Sequence, residues 1–288
     1  METRLLSIRP MTGAEFDMVL DWAALEGWNP GRFDAQAFRA TDPEGLLIGL
    51  LADQPVAAIS AIKYGDSFGF IGFYIVKPAC RGQGYGWQLW QAAMTRLAGR
   101  NIGLDGVLAQ QDNYRRSGFE LAHRNIRYQG TGAGLAVDSV LPAGTRLAPL
   151  AAFALPALAA YDRRFFPADR QTFLRCWINQ PQSTALGLLR DQRLLGYGVL
   201  RSCRLGHKIG PLFADSAPAA AALLSALCGG TDGAAPIFLD VPQCNPAAVA
   251  LAQSRGMHKV FETARMYSAG APDLALERSY GITSFELG

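Results

Sequence analysis

Phe70-Ile71-Gly72-Phe73-Tyr74-Ile75-Val76-Lys77-Pro78-Ala79-Cys80-Arg81-Gly82-Gln83-Gly84-Tyr85-Gly86-Trp87-Gln88-Leu89-Trp90-Gln91-Ala92-Ala93-Met94 passes from an apolar and aromatic run, through a glycine loop, into a segment where Leu89, Ala93, Met94 and then Leu97 recur at helical spacing. A strand therefore feeds a loop that opens a helix. Gly82, Gly84 and Gly86 remove Cβ atoms where backbone N–H groups would close on an anion. The helix N-terminus adds unpaired donors and partial positive charge. A pyrophosphate suits such a loop; a structural turn and a dinucleotide site are the competing readings. Asp105, 19 residues after Gly86, fits the dinucleotide reading, but Trp87 breaks Gly-x-Gly-x-x-Gly. The loop also follows a front stretch that reads as antiparallel, not a first βαβ unit.

Outward from this stretch the chain repeats itself. Leu47-Ile48-Gly49-Leu50-Leu51-Ala52-Asp53-Gln54 matches Ala185-Leu186-Gly187-Leu188-Leu189-Arg190-Asp191-Gln192, Gly49 falling on Gly187 at an offset of 138. Each is an apolar run, an Asp-Gln turn and a second apolar run, which predicts a hairpin. At the same offset Ile71-Gly72 falls on Ile209-Gly210, Gly118-Phe119 on Gly256-Met257, and Arg127 on Arg265. Leu104-Asp105 pairs with Leu239-Asp240 at 135, so the first copy is three residues shorter after that strand. Ordered matches at one offset predict two tandem domains, 1–135 and 145–288, with a Gly- and Pro-rich junction between Gln129 and Gly144. Each half opens with a strand (Leu5 to Arg9; Thr145 to Ala148) and helices (Thr12 to Leu25; Leu150 to Arg164). A hairpin, a long third strand, a helix, a buried strand, a short helix and a last strand follow. The fold class is mixed α/β (α+β), each half a mostly antiparallel mixed sheet flanked by helices. Tyr280 to Leu287 reads as a terminal strand that needs a sheet edge, in part from the first half.

The order Arg81-x-x-Gly84-x-Gly86, after a strand ending Ile75-Val76-x-Pro78, resembles the acyl-CoA loop of the GNAT (GCN5-related) N-acetyltransferases. Tyr114-Arg115-Arg116-Ser117-Gly118-Phe119, after the strand holding Asp105, resembles the same family's Tyr-x-x-x-Gly-Phe. The motifs lie in the first half, and the second half joins through the repeat. The layout resembles tandem-domain GNAT proteins, as do Glu26-Gly27-Trp28-Asn29-Pro30-Gly31 and Ile282-Thr283-Ser284-Phe285-Glu286-Leu287-Gly288. The resemblance implies acetyl-CoA as co-substrate and no metal. It assigns acetyl-CoA to Ile75, Val76, Arg81, Gly82, Gln83, Gly84, Tyr85 and Gly86, with the strand's backbone pairing pantetheine as a bound peptide extends a sheet. Family members usually carry Asn seven residues before the Tyr and a small residue four before; Val107 and Gln110 stand there, so the helix with Tyr114 is expected to start late.

Acetyl transfer to an amine needs a base, polarisation of the thioester carbonyl and a proton for the leaving thiolate. A backbone N–H near Val76 can polarise the carbonyl. The resemblance gives the proton donor's role to Tyr114; a ring packed beside Phe119 is the alternative. The strand Phe70 to Val76 has no carboxylate. Glu26 is a candidate base, because it precedes the Trp28-Asn29-Pro30-Gly31 turn in the region where the resemblance puts the acceptor wall, against a solvated carboxylate at a helix end, and Trp28 and Asn29 are candidate substrate contacts. His123 could serve by pKa, although its strand-like setting favours a structural role. Arg115 and Arg116 could meet a 3′-phosphate or form a solvated helix face. In the second half, Ala219, Ala222 and Leu224 replace Arg81, Gly84 and Gly86, and Ala252 replaces Tyr114. That half is expected to keep the fold, to lose the loop and acid, and to cover the acceptor site, with Asp162, Phe166, Arg170 and Trp177 lining the cleft.

Composition narrows the partners. Half of the 288 residues are apolar and 18% charged, ample for packed cores, and the net charge of +3 comes without any Lys/Arg block. That argues against nucleic acid. Five cysteines without Cys-x-x-Cys spacing read as reduced thiols, neither a disulfide framework nor a zinc site. Met1 to Pro10 lacks the apolar core of a leader, and Leu147 to Tyr161, broken by Pro149 and Pro156, is too short to span a bilayer. The expectation is a cytoplasmic, acetyl-CoA-dependent N-acetyltransferase acting on a small-molecule or peptide amine by direct attack, with no membrane partner and a homodimer left open. A CoA-binding regulatory or interaction module without turnover is the alternative.

Overall fold

Thr12 sets the first helix. Its hydroxyl accepts the Glu15 N–H at 3.3 Å while the Glu15 carboxylate accepts the Thr12 N–H at 2.7 Å, a capping box. The computed structural model describes residues 5–136 and 140–288. The first four residues, part of the stretch read for a leader, and residues 137–139 of the junction lie outside the described residues. The first half runs β1 (Ser7–Pro10), α1 (Gly13–Leu25), α2 (Asp34–Thr41), β2 (Leu46–Leu51), β3 (Gln54–Tyr64), β4 (Phe68–Val76), α3 (Tyr85–Arg96), β5 (Asn101–Val107), α4 (Gln111–Arg116), β6 (Glu120–Thr131) and α5 (Gly132–Leu135). The second runs β7 (Arg146–Pro149), α6 (Leu155–Asp162), α7 (Gln171–Trp177), β8 (Ser183–Arg190), β9 (Arg193–Ser202), β10 (His207–Ala214), α8 (Ala217–Cys228), β11 (Pro236–Pro242), α9 (Pro246–Ser254), β12 (His258–Tyr267) and β13 (Ser279–Gly281).

The predicted hairpins form, with a shift. Ala52 and Asp53 carry φ of 47° and 63°, and Asp191 and Gln192 carry 47° and 66°, so each hairpin closes through two left-handed residues. The second turn thus sits one residue later than the sequence match places it. In both hairpins a bulge, at Gly49/Leu50 and at Leu188/Leu189, sets the register that follows.

One sheet joins both halves, in the order β1-β2-β3-β4-β5-β12-β6-β11-β10-β9-β8-β7. The last long strands are exchanged: β12 pairs β5, and β6 pairs β11. This places Arg265 opposite Asp105 and Arg127 opposite Asp240. Arg127 holds Asp240 with two bonds, 2.6 and 2.8 Å, and Arg265 Nε holds Asp105 at 3.0 Å. Asp105 and Arg127 of one copy match Asp240 and Arg265 of the other, and the ion pairs cross between the copies. The core crosses as well: Phe38 of α2 stacks on Trp177 of α7 with centroids 6.0 Å apart, in one cluster with Phe16, Phe73 and Phe173.

Two parallel pairs, β4–β5 and β10–β11, part at equivalent places. The pairing of β4 with β5 ends at Ile71 and Leu104, after which β5 continues along β12. Phe73, at φ 44°, marks the bulge that turns β4 away. The pairing of β10 with β11 ends at Ile209 and Leu239. There β13 fills the gap, pairing Gly281 with Leu212, and the next N–H, of Ile282, donates to the Asp240 carbonyl at 2.8 Å. The expected strand Tyr280 to Leu287 is corrected: only Ser279–Gly281 is strand, on the second half's own β10. The rest turns because Ser284 Oγ takes the Leu287 N–H at 3.0 Å and Arg170 holds Thr283 Oγ1 at 3.0 Å and the Gly288 carbonyl at 3.1 Å. It ends against the first half, where Tyr64 donates to the Leu287 carbonyl at 3.1 Å.

Candidate active site

Where β4 leaves β5, a cavity of about 520 Å³ opens. Ile71 to Val76 form one wall, and Leu104, Asp105, Val107 and Gln110 another. Trp28, Tyr114, Phe261, Phe285 and Glu286 also line it. Lys77 N–H donates to the Val56 carbonyl at 2.9 Å. The alternation of an antiparallel ladder then turns the N–H and C=O of Val76 away from β3, toward the opening. The expected backbone donor of β4 is therefore presented to the cavity.

Below it lies the glycine loop. Gly82 and Gly84 have φ of 74° and 80°, left-handed values that favour glycine. Gly84 caps α3 with no side-chain hydrogen bond, so the first-turn N–H groups of this 12-residue helix have no side-chain cap. A Cβ on Gly86 would stand 2.8 Å from the Tyr74 hydroxyl and 3.1 Å from Val76, so glycine lets the helix start rest on β4. Tyr85 is buried, and Gln83 is tied to the Ala79 carbonyl at 3.1 Å. Loop, helix end and splayed strand together fit a nucleotide diphosphate with an extended acyl arm. Ile75, Val76 and Arg81 line the cavity itself, and residues 82–86 do not.

Arg81 bridges the mouth. Its Nε donates to the Val76 carbonyl at 2.9 Å and its guanidinium pairs with Glu26. Glu26 lines the cavity, yet its carboxylate is engaged by that arginine, which leaves it poorly placed as a base. Trp28 also lines the cavity, and its carbonyl accepts from Arg127 at 2.7 Å and Lys208 at 3.2 Å. Asn29 does not line it. Its side chain clamps Leu205 of the second half through two bonds, 2.9 and 3.1 Å, so it is a strut between the halves.

Tyr114 is 8% exposed, its ring against Trp90 with centroids 5.4 Å apart. Gly106 makes room for it, since a Cβ there would collide with the ring. Burial pushes the phenol well above its ordinary pKa, which keeps it protonated as a donor must be. Helix α4 begins at Gln111 with no side-chain cap, whereas Asn245 caps α9 by accepting from Ala247 at 3.1 Å and Ala248 at 3.2 Å. The late start expected from Val107 and Gln110 is what the structure has.

His123 lines a separate small cavity beside Arg265 and Tyr267, where burial lowers its pKa to about 4. Arg115 lies on an exposed helix face beside Asp112, at 3.2 Å. Asp162, Phe166, Arg170 and Trp177 do not line the active cavity, a correction to the cleft reading. Asp162 and Arg170 form a buried pair, and Trp177 Nε1 donates to the Gly210 carbonyl at 2.9 Å. Arg170, braced by Asp162, anchors the last residues of the chain through Thr283 and Gly288. Glu286 is the residue that sequence reasoning missed. It is 3% exposed and lines the cavity, and its signals in the sequence were the family-like C-terminal stretch that holds it and its place as the lone carboxylate there.

Comparison with known proteins identifies the class. Residues 14–119 match the family model described as "Acetyltransferase (GNAT) family", and residues 158–281 the one described as "Acetyltransferase (GNAT) domain". The chain belongs to the GNAT superfamily and is an acyltransferase of its tandem type. Holothin acyltransferase of Pseudoalteromonas sp. (strain SANK 73390) is 27% identical over 280 residues, 97% of this chain and 94% of that protein. Bacillus subtilis (strain 168) YitH, an uncharacterized N-acetyltransferase, is 26% identical over 131 residues, 46% of each chain. A Pyrococcus horikoshii structure, provisionally described as an acetyltransferase, superposes with a TM-score of 0.81 at 22% identity, covering 100% of this chain and 98% of that one. A tandem GNAT protein from the clavulanic acid biosynthesis pathway superposes with a TM-score of 0.65 at 15% identity, covering 93% and 100%. At these identities the two structures speak for the fold. Among the described residues no helix is long and apolar enough to cross a membrane.

Proposed function

We propose that the chain is a cytoplasmic, acetyl-CoA-dependent N-acetyltransferase that moves an acetyl group from a thioester sulfur to the amine of a small molecule or peptide by direct attack. The observation that carries this reading is the parting of β4 from β5 directly above an α3 N-terminus without a side-chain cap. The two features suit the two ends of one molecule, a diphosphate at the helix and an acyl arm along the strand. In this reading residues 81–86 hold the diphosphate, and Ile75 and Val76 hold the arm. The Val76 N–H polarises the thioester carbonyl. Tyr114 gives the leaving sulfur its proton. Glu26 acts on Arg81, keeping the loop against the end of β4, and Trp28 walls the acceptor. Asn29 acts only through the contact of the halves.

The second half is a cover in this proposal. Its own strand opening holds β13, and its helix α8 has Ala and Leu where α3 has the glycine loop. The family's general use of acetyl-CoA supports acetyl as the group transferred, and the name of the holothin relative gives its activity only as acyl transfer. Purified chain incubated with acetyl-CoA and a panel of amines should release free thiol in an amine-dependent way. Tight acetyl-CoA binding with no amine-dependent thiol release would turn the reading toward a CoA-binding module.

A further inference from the structure

We infer that Glu286, delivered by the last residues of the second half into the first half's cavity, is the proton acceptor of the transfer, and that its acceptor substrate is a primary amine on an apolar, ring-bearing body. The inference rests on the reading of the chain as an acyl-CoA-dependent N-acyltransferase.

The path of the tail is specific. From β13 it crosses to β4, where Gly72 has no side chain; a Cβ there would collide with the Glu286 carbonyl. Residues 279–288 are all buried. Arg170, Ser284 and Tyr64 tie both sides of Glu286 in place through Thr283, Leu287 and Gly288. Such anchoring holds a side chain where a reacting group would need it.

The charges around Glu286 argue against a structural role. Arg127 on β6, Arg201 on β9 and Lys208 on β10 face it, as do Asp34 on α2 and, across Arg127 and Lys208, Asp240 on β11 and Cys203. The cations are engaged by other groups. Arg127 holds Asp240 and the Trp28 carbonyl, Arg201 holds Asp34, and Lys208 holds the Trp28 carbonyl. Glu286 Oε1 is buried without a hydrogen-bond partner among the described residues. A carboxylate kept for stability would be paired, because an unpaired buried one is costly. Burial raises its pKa, toward the range in which a general base exchanges protons with an amine.

The rest of the lining selects the acceptor. Trp28, Phe73, Phe261 and Phe285 are aromatic, and the other carboxylate of the inner wall, Asp105, is held by Arg265. Glu26 is paired with Arg81, so among the described residues of the lining no second free anion offers a place for another positive charge. The step balances as follows. The substrate ammonium loses one proton to Glu286, and the freed nitrogen pair attacks the thioester carbonyl carbon. As the C–N bond is completed the C–S bond breaks, and its electron pair stays on sulfur. The thiolate takes the Tyr114 proton, and the second nitrogen proton restores Tyr114. Glu286 returns its proton to water as the amide leaves.

The test compares the whole chain with Glu286→Gln and Glu286→Asp. Steady-state rates are read from neutral to alkaline pH with acetyl-CoA and arylalkyl amines, a polyamine and an amino acid. Loss of the base should lower kcat ~10²–10⁴-fold in the Gln variant. The remaining rate should climb with pH as free amine accumulates, while acetyl-CoA affinity and melting temperature hold. The Asp variant should regain part of the rate, and the arylalkyl amines should be turned over fastest. A Gln variant with the wild-type kcat and pH profile overturns the inference, as does one that loses acetyl-CoA binding and melts early. Faster turnover of the polyamine or amino acid overturns the acceptor class alone. Wild-type chain that binds acetyl-CoA and acetylates no amine removes the underlying reading instead.

Discussion

Tyr114 shows how one side chain can be tuned by what surrounds it. Trp90 and the bare backbone at Gly106 form its pocket, and burial holds its proton on. Replacing it by Phe keeps the ring packing and removes the donor. Tyr114→Phe should cut kcat ~10²-fold or more and leave acetyl-CoA affinity nearly intact, measured by thiol release and calorimetry. An effect confined to the KM for acetyl-CoA would make the tyrosine a binding residue. The hydroxyl was legible in sequence because it sits at a fixed distance from Gly118-Phe119, inside one local motif. Glu286 was not, because it reaches the cavity through a tail whose course depends on β13 filling the gap between β10 and β11. Glu26 was legible in place but not in partner. Its position was right, since it lines the cavity, but only the fold brings Arg81 to it.

At the scale of elements, the junction of β4 with α3 depends on backbone freedom. Gly84 lies in the left-handed region as the cap of α3, a conformation that a β-branched residue adopts only with strain. Gly84→Val should therefore lower acetyl-CoA affinity by at least tenfold, about 1.4 kcal/mol. Unchanged affinity by calorimetry would make the loop a structural turn. The elements themselves read well from the sequence. Hairpins followed from apolar runs around Asp-Gln, and α3 from its Leu89, Ala93 and Leu97 spacing. The short strand β13 was misread as a long one because Tyr280, Ile282, Phe285 and Leu287, spaced among small and polar residues, read the same whether the segment lies in a sheet or packs as a buried turn.

At the scale of the molecule, the exchange of β6 and β12 makes the halves interdependent. The repeat was visible in the sequence, and so were Asp105, Arg127, Asp240 and Arg265 as matched positions. Which aspartate each arginine meets was not, since a repeat cannot tell an intact pair of domains from one that trades strands. Residues 1–135 alone would lack β12, exposing the edge of β5 and leaving Asp105 without Arg265. Breaking a buried pair in that way costs about 3–5 kcal/mol. That fragment should be poorly soluble or inactive; a soluble one with the acetylation rate of the whole chain would contradict the interdependence. The halves are asymmetric, one strand opening beside a glycine loop and the other filled by β13, and calorimetric titration of the whole chain with acetyl-CoA tests this most directly. One site per chain, weakened by Gly84→Val, is the predicted result. Two equal sites, or a single site insensitive to that substitution, would contradict it.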